Sequence, residues 1–357
     1  MSQGMRAARL HGGQDGNRLS IDDSVDVPTP NAGQVLVLVR ACGVNQIDLL
    51  TRDGQTPQTP QFPHTSGTEV TGDLLVIGEG VEGWSVGDRV LVDPVIACGD
   101  CEFCKKESSN MCLKGRIFGV QTDGGYAEKV LVDSKQLLRL PNSLSYAQGA
   151  AIAVTGSTAL HMLYRRAKVQ AGEDVLIVAA GSGIGVIGVQ LALLAGARVI
   201  VTAGSDERIR QALALGANFA VNHRDPDWAK QVREWTGGRG VDVVFEHVGE
   251  ATWKGSLRAL ARGGRLVTCG GHSGFNVEID LWNLFVKEQS IIGSFAGSRQ
   301  DLEEVLSLAE GGKISPVIQD VIPLERMTWA LSLMENRQVF GKIIIDPTLS
   351  YSEGGRE

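Results

Sequence analysis

The chain has no excess of positive charge: its 357 residues carry 41 Asp and Glu against 34 Lys and Arg, a net charge of -7, with no run of one sign. That balance argues against a nucleic-acid partner or an anionic membrane surface. Residues 1–13 contain Arg6, Arg9 and His11 but no apolar core of signal-peptide length. No internal repeat and no low-complexity segment interrupts the chain, and only residues 350–357 read as a disordered tail. One charge-free stretch, residues 175–197, has the length to cross a bilayer, but Gly181, Gly183, Gly185 and Gly188 break it up. A buried strand (175–178), a tight turn and a buried helix account for it better, so a soluble, cytoplasmic protein without a membrane partner is expected.

With 43% hydrophobic residues the chain can fill two cores, and its length calls for two domains. The first 140 residues, rich in Gly and Pro, carry short β-branched runs at 35–39, 70–77 and 89–92, the mark of an irregular, mostly β domain. From about residue 156 strand and helix signals alternate. Strands are expected at 174–179, 198–203, 219–222, 242–245 and 265–269, and helices at 184–195, 206–215, near Trp228 and at 251–261. The expected fold class is therefore α/β, a Rossmann-type doubly wound parallel sheet joined to a mostly β domain.

In Ala179-Ala180-Gly181-Ser182-Gly183-Ile184-Gly185 a strand ends and a helix begins, the place where a dinucleotide pyrophosphate rests on backbone N–H groups. The glycines admit that approach, although tight packing alone could also demand them. The next strand ends in Thr202-Ala203-Gly204-Ser205, without the carboxylate that binds the ribose hydroxyls in NAD-selective sites. Ser205 can donate a hydrogen bond and Arg208 can supply charge to a 2′-phosphate, which favours NADPH over NADH. Ser205 also suits a helix cap before Asp206.

Cys98, Cys101, Cys104 and Cys112 have the C-x2-C-x2-C-x7-C spacing of a closed tetrahedral zinc site, which leaves no position for substrate. An iron–sulfur cluster would call for a shorter last gap and a following Pro, where Leu113 stands; disulfides are the alternative, disfavoured in a cytosol. Cys42 and Cys269 read as ordinary buried thiols.

Together with Cys42-Gly43-Val44-Asn45 and Asp48, Gly67-Thr68-Glu69, Gly87-Asp88-Arg89-Val90 and Asp123-Gly124-Gly125-Tyr126-Ala127-Glu128, these features resemble the medium-chain dehydrogenase/reductase superfamily over nearly the whole chain. The resemblance implies a GroES-like catalytic domain at 1–155, a Rossmann domain at 156–295, a return to the catalytic domain at 296–357 and an active site in the cleft between domains. It implies Thr158, Val248 and the backbone near Cys269 and Gly270 as nicotinamide contacts, and a homodimer or homotetramer with the cofactor-domain edge near 290–294 at the interface.

The departures from the family pattern bear on chemistry. Where its alcohol dehydrogenases hold a catalytic zinc, this chain has Asn45, Thr68 and Val154, and Ile47 replaces the proton-relaying hydroxyl residue. Alcohol oxidation depends there on zinc, whereas hydride delivery to a conjugated acceptor needs only donors for the oxygen that gains charge. The expectation is an NADPH-dependent reductase of quinones or α,β-unsaturated carbonyl compounds. Asn45 and Thr68, with Gln46 if it faces the cleft, would bind the substrate oxygen, although they equally suit polar filler. The family's quinone reductases often carry a Tyr soon after the Asn-x-x-Asp segment; Leu49 and Leu50 stand here.

His247, at the end of a central strand, suits a cofactor contact, a structural role or a proton donor. His64 and His161 read as a turn residue and a helix-packing residue, and Asp48 and Glu69 equally as buried partners of an arginine. Two other readings stay open: a zinc alcohol dehydrogenase with the ligands His64, Asp48 and Glu69, and a non-catalytic NADPH-binding protein.

Overall fold

A computed structural model describes residues 4–12, 18–56 and 60–350. Of the tail read from the sequence, residues 351–357 lie outside the described residues. The chain forms two compact units: Met1–Val154 with Ser298–Glu310 and Ile318–Glu357, and Thr155–Gly297 with Gly311–Val317. Residues 311–317 thus count with the second unit, a detour that the expected return at 296–357 did not contain.

The first unit begins with β1 (Met5–His11), β2 (Arg18–Val25), β3 (Gln34–Gly43), α1 (Gln46–Arg52), β4 (Glu69–Ile77), β5 (Arg89–Val92), β6 (Val95–Ile96), α2 (Glu102–Lys105), β7 (Arg116–Ile117), β8 (Lys129–Asp133) and β9 (Leu137–Arg139). Helix α3 (Tyr146–Leu160) leads into β10 (Asp174–Ile177), α4 (Gly183–Leu194), β11 (Arg198–Ala203), α5 (Asp206–Ala214), β12 (Phe219–Asn222), α6 (Trp228–Trp235), β13 (Val241–Glu246), α7 (Glu250–Ala259), β14 (Leu260–Thr268), α8 (Leu281–Val286) and β15 (Ser290–Gly293). The chain closes with α9 (Arg299–Glu310), β16 (Ile318–Ile322), α10 (Met327–Glu335) and β17 (Lys342–Ile345).

In the first unit the main sheet runs β16-β17-β3-β4-β5-β9, with β8 also paired to β3. Val35, Val37 and Val39, alternate residues of β3, are buried and pack in one core with Val70, Val90, Phe118, Tyr126 and Ile343. Register does the positioning. Gly43 at the end of β3 pairs with Glu69 on one side and with Ile344 on the other. The starts of α1, β4 and β17 therefore converge on one spot.

In the second unit the sheet order β12-β11-β10-β13-β14-β15 is parallel at every pairing, the Rossmann order. Val175, Leu176 and Ile177 in β10 are buried, as expected of a strand covered on both faces. Trp228 of α6 and Trp253 of α7 join Leu176, Ile200, Val244 and Leu266 in one core. The helix expected at 251–261 stops at Ala259, because Leu260 already pairs with Val241 as the start of β14. Residues 175–197 resolve into β10, a turn and α4, and among the described residues no helix is long and apolar enough to cross a membrane.

Gly185 fixes how α4 meets β10. A Cβ there would lie 2.7 Å from the Ala179 carbonyl oxygen and 2.8 Å from the Ala180 Cα, both backbone atoms. Gly185→Ala is expected to cost about 1–3 kcal/mol by overpacking. Thermal unfolding followed by circular dichroism checks this, and an unchanged midpoint would show that the turn yields freely.

Candidate active site

In the first unit Asn45 caps α1. Its N–H donates to Asp48 Oδ2 at 2.7 Å, and the same oxygen accepts from the Tyr126 hydroxyl at 2.6 Å. Burial raises the Asp48 carboxyl to about 6, with the Tyr126 and Asn45 hydrogen bonds opposing the shift. Its other oxygen, Oδ1, is buried without a hydrogen-bond partner among the described residues. Asn45 Nδ2 lies 3.3 Å from Thr68 Oγ1, so the structure brings Asn45, Asp48 and Thr68 into one buried cluster.

Glu69 follows Thr68, fully buried. Its Oε2 is 2.7 Å from Lys342 Nζ and its Oε1 accepts from the Val154 N–H at 2.8 Å. The expected arginine partners are thus replaced: the cation beside Glu69 is a lysine, and the partner of Asp48 is a tyrosine. Lys342 Nζ also donates to Val44 O at 2.6 Å and to Asn45 Oδ1 at 2.7 Å.

This donor set does not fit a catalytic zinc. Asn45, Thr68 and Val154 offer neither thiolate nor imidazole, and Glu69 is committed to an ammonium and an amide. The alternative trio does not assemble either. His64 Nε2 faces the Gly119 carbonyl oxygen at 3.2 Å, and among the described residues the one group of metal-ligating side chains gathered closely enough to hold an ion is Cys98, Cys101, Cys104 and Cys112.

Those four cysteines do fit zinc. The Sγ separations are 3.5 Å for Cys101–Cys104, 3.9 Å for Cys98–Cys104 and 3.9 Å for Cys101–Cys112. A tetrahedron of Zn–S bonds of about 2.3 Å places sulfurs about 3.8 Å apart. All four thiols are free, which sets the disulfide alternative aside. Zinc held there would fix the loop around α2 and leave no coordination position for chemistry.

In the second unit the glycine turn joins β10 to α4. Ala179 takes a left-handed φ of 52°, its N–H donating to Thr202 Oγ1 at 3.0 Å. Ser182 caps α4, its hydroxyl oxygen accepting from the Gly185 N–H at 3.0 Å. His247 Nε2 lies 3.0 Å from Val178 O and 3.2 Å from Ser182 Oγ. A carbonyl oxygen only accepts, so Nε2 carries the proton and Nδ1 is a bare acceptor, buried without a partner among the described residues. Burial lowers the ring to about 4, which leaves it neutral at pH 7 with its one N–H turned to Val178 O.

Glu246, just before His247, is fully buried. Its carboxylate accepts from the Val248 N–H at 2.6 Å, the Gly249 N–H at 3.2 Å, the Thr252 hydroxyl at 2.9 Å and the Ser256 hydroxyl at 2.6 Å. These bonds fix the loop that carries His247 and Val248. Gly270 sits against that loop, since a Cβ there would lie 3.1 Å from the His247 carbonyl oxygen; Cys269 precedes it, and Thr158 is buried in α3. At the tip of β11, Ser205 caps α5 by accepting from the Arg208 N–H at 3.4 Å. Burial and the charge of Arg224 both lower the Arg208 pKa, so two guanidinium groups share this strand tip.

The chain matches two family models, the alcohol dehydrogenase GroES-like domain over residues 31–142 and the zinc-binding dehydrogenase over residues 183–311. It is 36% identical to an NAD-dependent alcohol dehydrogenase of Sulfolobus acidocaldarius, over 96% of this chain and 100% of that protein. The chain belongs to the medium-chain dehydrogenase/reductase superfamily. It is also 31% identical to a quinone oxidoreductase of Rattus norvegicus, over 96% of this chain and 97% of that protein. A crystal structure of an NAD-dependent alcohol dehydrogenase superposes with a TM-score of 0.91 at 39% identity, covering 96% of this chain and 99% of the other. As a member of this superfamily the protein is an NAD(P)H-dependent oxidoreductase, with a GroES-like unit and a Rossmann unit.

Sequence reasoning about this dehydrogenase/reductase missed Lys342, Glu246 and Arg224. Two of them carried a signal, since Lys342 opens the run Lys342-Ile343-Ile344-Ile345 and Glu246 ends Val243-Val244-Phe245, each a charge in an apolar strand. Arg224, beyond the end of β12, carried none.

Metal analysis of the purified protein is expected to give about one zinc per chain. Cys101→Ser should bring it close to zero and expose the loop around residues 98–112 to protease. About two zincs per chain would mean that a second, catalytic metal is held after all.

Proposed function

We propose that the enzyme transfers hydride from NADPH to a quinone or an α,β-unsaturated carbonyl compound without a catalytic zinc. The observation that carries this reading is the cluster in the first unit, where the hydrogen-bonding pair Asn45 and Thr68 is closed off by Lys342. Alcohol oxidation requires the hydroxyl proton to leave, which a Lewis-acidic metal assists and these side chains do not. Reduction of a conjugated acceptor instead places negative charge on an oxygen, and the Thr68 hydroxyl, oriented by the Asn45 Nδ2 that donates to it, suits that charge. Bound NADPH supplies the hydride. The product takes its proton from solvent, and Asp48 holds Asn45 in place through the backbone.

For the cofactor, Gly181, Ser182, Gly183, Ile184 and Gly185 would receive the pyrophosphate at the start of α4. Thr158, Val248, Cys269 and Gly270 would contact the nicotinamide, and His247 Nδ1 would accept a hydrogen bond from a ribose hydroxyl or carboxamide N–H. Ser205, Arg208 and Arg224 support NADPH, because a 2′-phosphate relieves the repulsion between the two guanidinium groups. The free thiols suit a reducing cytoplasm.

A second reading is favoured by the relative from Sulfolobus acidocaldarius, named an NAD-dependent alcohol dehydrogenase. Initial rates with NADPH and NADH on 2-cyclohexenone and 1,4-benzoquinone, and with NADP+ and NAD+ on primary and secondary alcohols, separate the two. The proposal expects NADPH consumption with the conjugated acceptors. Turnover confined to alcohols would overturn it, and NADPH binding without any turnover would favour a non-catalytic protein. Arg208→Ala with Arg224→Ala should raise the KM for NADPH by about ten- to a hundredfold, from loss of charged hydrogen bonds, and leave that for NADH nearly unchanged.

The partner proposed for the second unit is another copy of this chain. Strand β15 is the edge of its sheet, and Leu281, Trp282 and Phe285 of the neighbouring α8 are exposed, the two rings in edge contact at 5.1 Å. Light scattering should give a dimer mass that falls to the monomer in Trp282→Glu with Phe285→Glu. An unchanged mass would exclude this face.

A further inference from the structure

Lys342 presents an ammonium group to a fully buried carboxylate, that of Glu69, and its contacts determine more than charge balance. An ammonium has three N–H bonds and only donates. Here three acceptors surround it: Val44 O at 2.6 Å, Asn45 Oδ1 at 2.7 Å and Glu69 Oε2 at 2.7 Å. The side chain is 4% exposed and that of Glu69 0%. Two hydrogens go to Val44 O and Asn45 Oδ1, and the Glu69 carboxylate, in ion-pair contact, matches the charge, so Lys342 is held by the protein itself.

Its effect passes through Asn45. An amide can be turned by half a revolution with little change in shape, and the two orientations differ only in which atom faces which neighbour. Beside an ammonium the facing atom must be oxygen. That fixes Nδ2 toward Gly43 O at 3.4 Å and Thr68 Oγ1 at 3.3 Å. Thr68 then accepts from Asn45, and its own hydroxyl proton has no acceptor among the described residues. In the reversed orientation the amide oxygen would take that proton, and Thr68 would present a lone pair where it now presents a hydrogen.

We propose that Lys342 is a positioning residue: it locks the Asn45 amide so that Asn45 donates to Thr68 and the Thr68 hydroxyl offers its hydrogen to a substrate oxygen. This rests on the reading of Asn45 and Thr68 as the group that binds the substrate oxygen and extends it to the class of ligand. The cluster takes a hydrogen-bond acceptor, a carbonyl or enolate oxygen. The charge on Lys342 also draws electron density from the amide oxygen and strengthens its N–H bonds as donors.

Lys342→Met alone would strand the Glu69 carboxylate in the core, so the test uses Glu69→Gln as the parent and compares it with E69Q/K342M, E69Q/N45A and E69Q/K342M/N45A. Unfolding midpoints and NADPH affinity from fluorescence show which variants are folded and loaded. With 2-cyclohexenone, E69Q/K342M should lose about ten- to a hundredfold in kcat relative to E69Q, as expected for a charged hydrogen bond, with the KM for NADPH unchanged. Adding N45A should cost no more than about another twofold, because residues acting as one unit are not additive. Full multiplication of the two losses, or no loss in E69Q/K342M, would overturn the proposal. If N45A and Thr68→Ala leave turnover intact, the proposed function fails instead. A readout independent of turnover is the Asn45 side-chain amide signal in 15N-resolved spectra, assigned by its disappearance in Asn45→Asp. It should shift in E69Q/K342M relative to E69Q, and an unmoved signal would overturn the positioning role by itself.

Discussion

The buried pair Lys342–Glu69 is the contact on which the candidate site depends. Glu69 opens β4 and Lys342 opens β17, strands that flank opposite sides of β3, so one ion pair spans three neighbouring strands. A charge with no exposure is costly unless its hydrogen-bonding capacity is met. Much of the capacity is met locally: Val154 N–H supplies the second Glu69 oxygen, while Val44 O and Asn45 Oδ1 receive two lysine hydrogens. Removing either ion would strand the other and release Asn45 as well. Stability of the unit and chemistry of the site thus rest on the same three atoms of Lys342, Glu69 and Asn45.

The second unit solves a similar problem without a cation. Glu246 is equally buried, yet two backbone N–H groups and two hydroxyls surround it, so its charge is dispersed over four donors. Its effect is mechanical. Gly249 holds a left-handed φ of 90°, and the turn from Glu246 to Gly249 is tied to α7 through Thr252 and Ser256. His247 is thereby held with its bare nitrogen unpartnered. Both units use a buried carboxylate at a strand end to hold a short polar segment in a conformation that the segment would not keep alone.

The fold was largely legible because its signals are local. The alternation of 4–9-residue apolar runs with helical stretches after residue 156, and the glycine turn between β10 and α4, depend only on neighbouring residues. The cysteine spacing was legible for the same reason. The site was legible only in part. Asn45, Asp48 and Thr68 stood out as departures from a recognisable pattern, but what they do is decided by Lys342, 297 positions after Asn45. No periodicity links such distant residues. The charges inside the apolar strands at 342 and 246 marked buried ions without naming their partners, and Arg224 is joined to Arg208 only through the parallel pairing of β11 with β12.

A site that works through Lys342, as proposed, stabilises different charges from one that works through a metal. A zinc ion acts directly on the substrate oxygen and lowers the cost of losing its proton. Lys342 is set one residue back. In the proposed site its charge would act on the substrate oxygen through the Asn45 amide and the Thr68 hydroxyl, an oriented donor weaker than a divalent ion. Such donors stabilise an oxygen that gains charge over a conjugated system, where the charge is already spread, better than one that must carry a full alkoxide. The carboxylate at 69 keeps a cation beside it, so the charge at the strand junction is balanced within the chain.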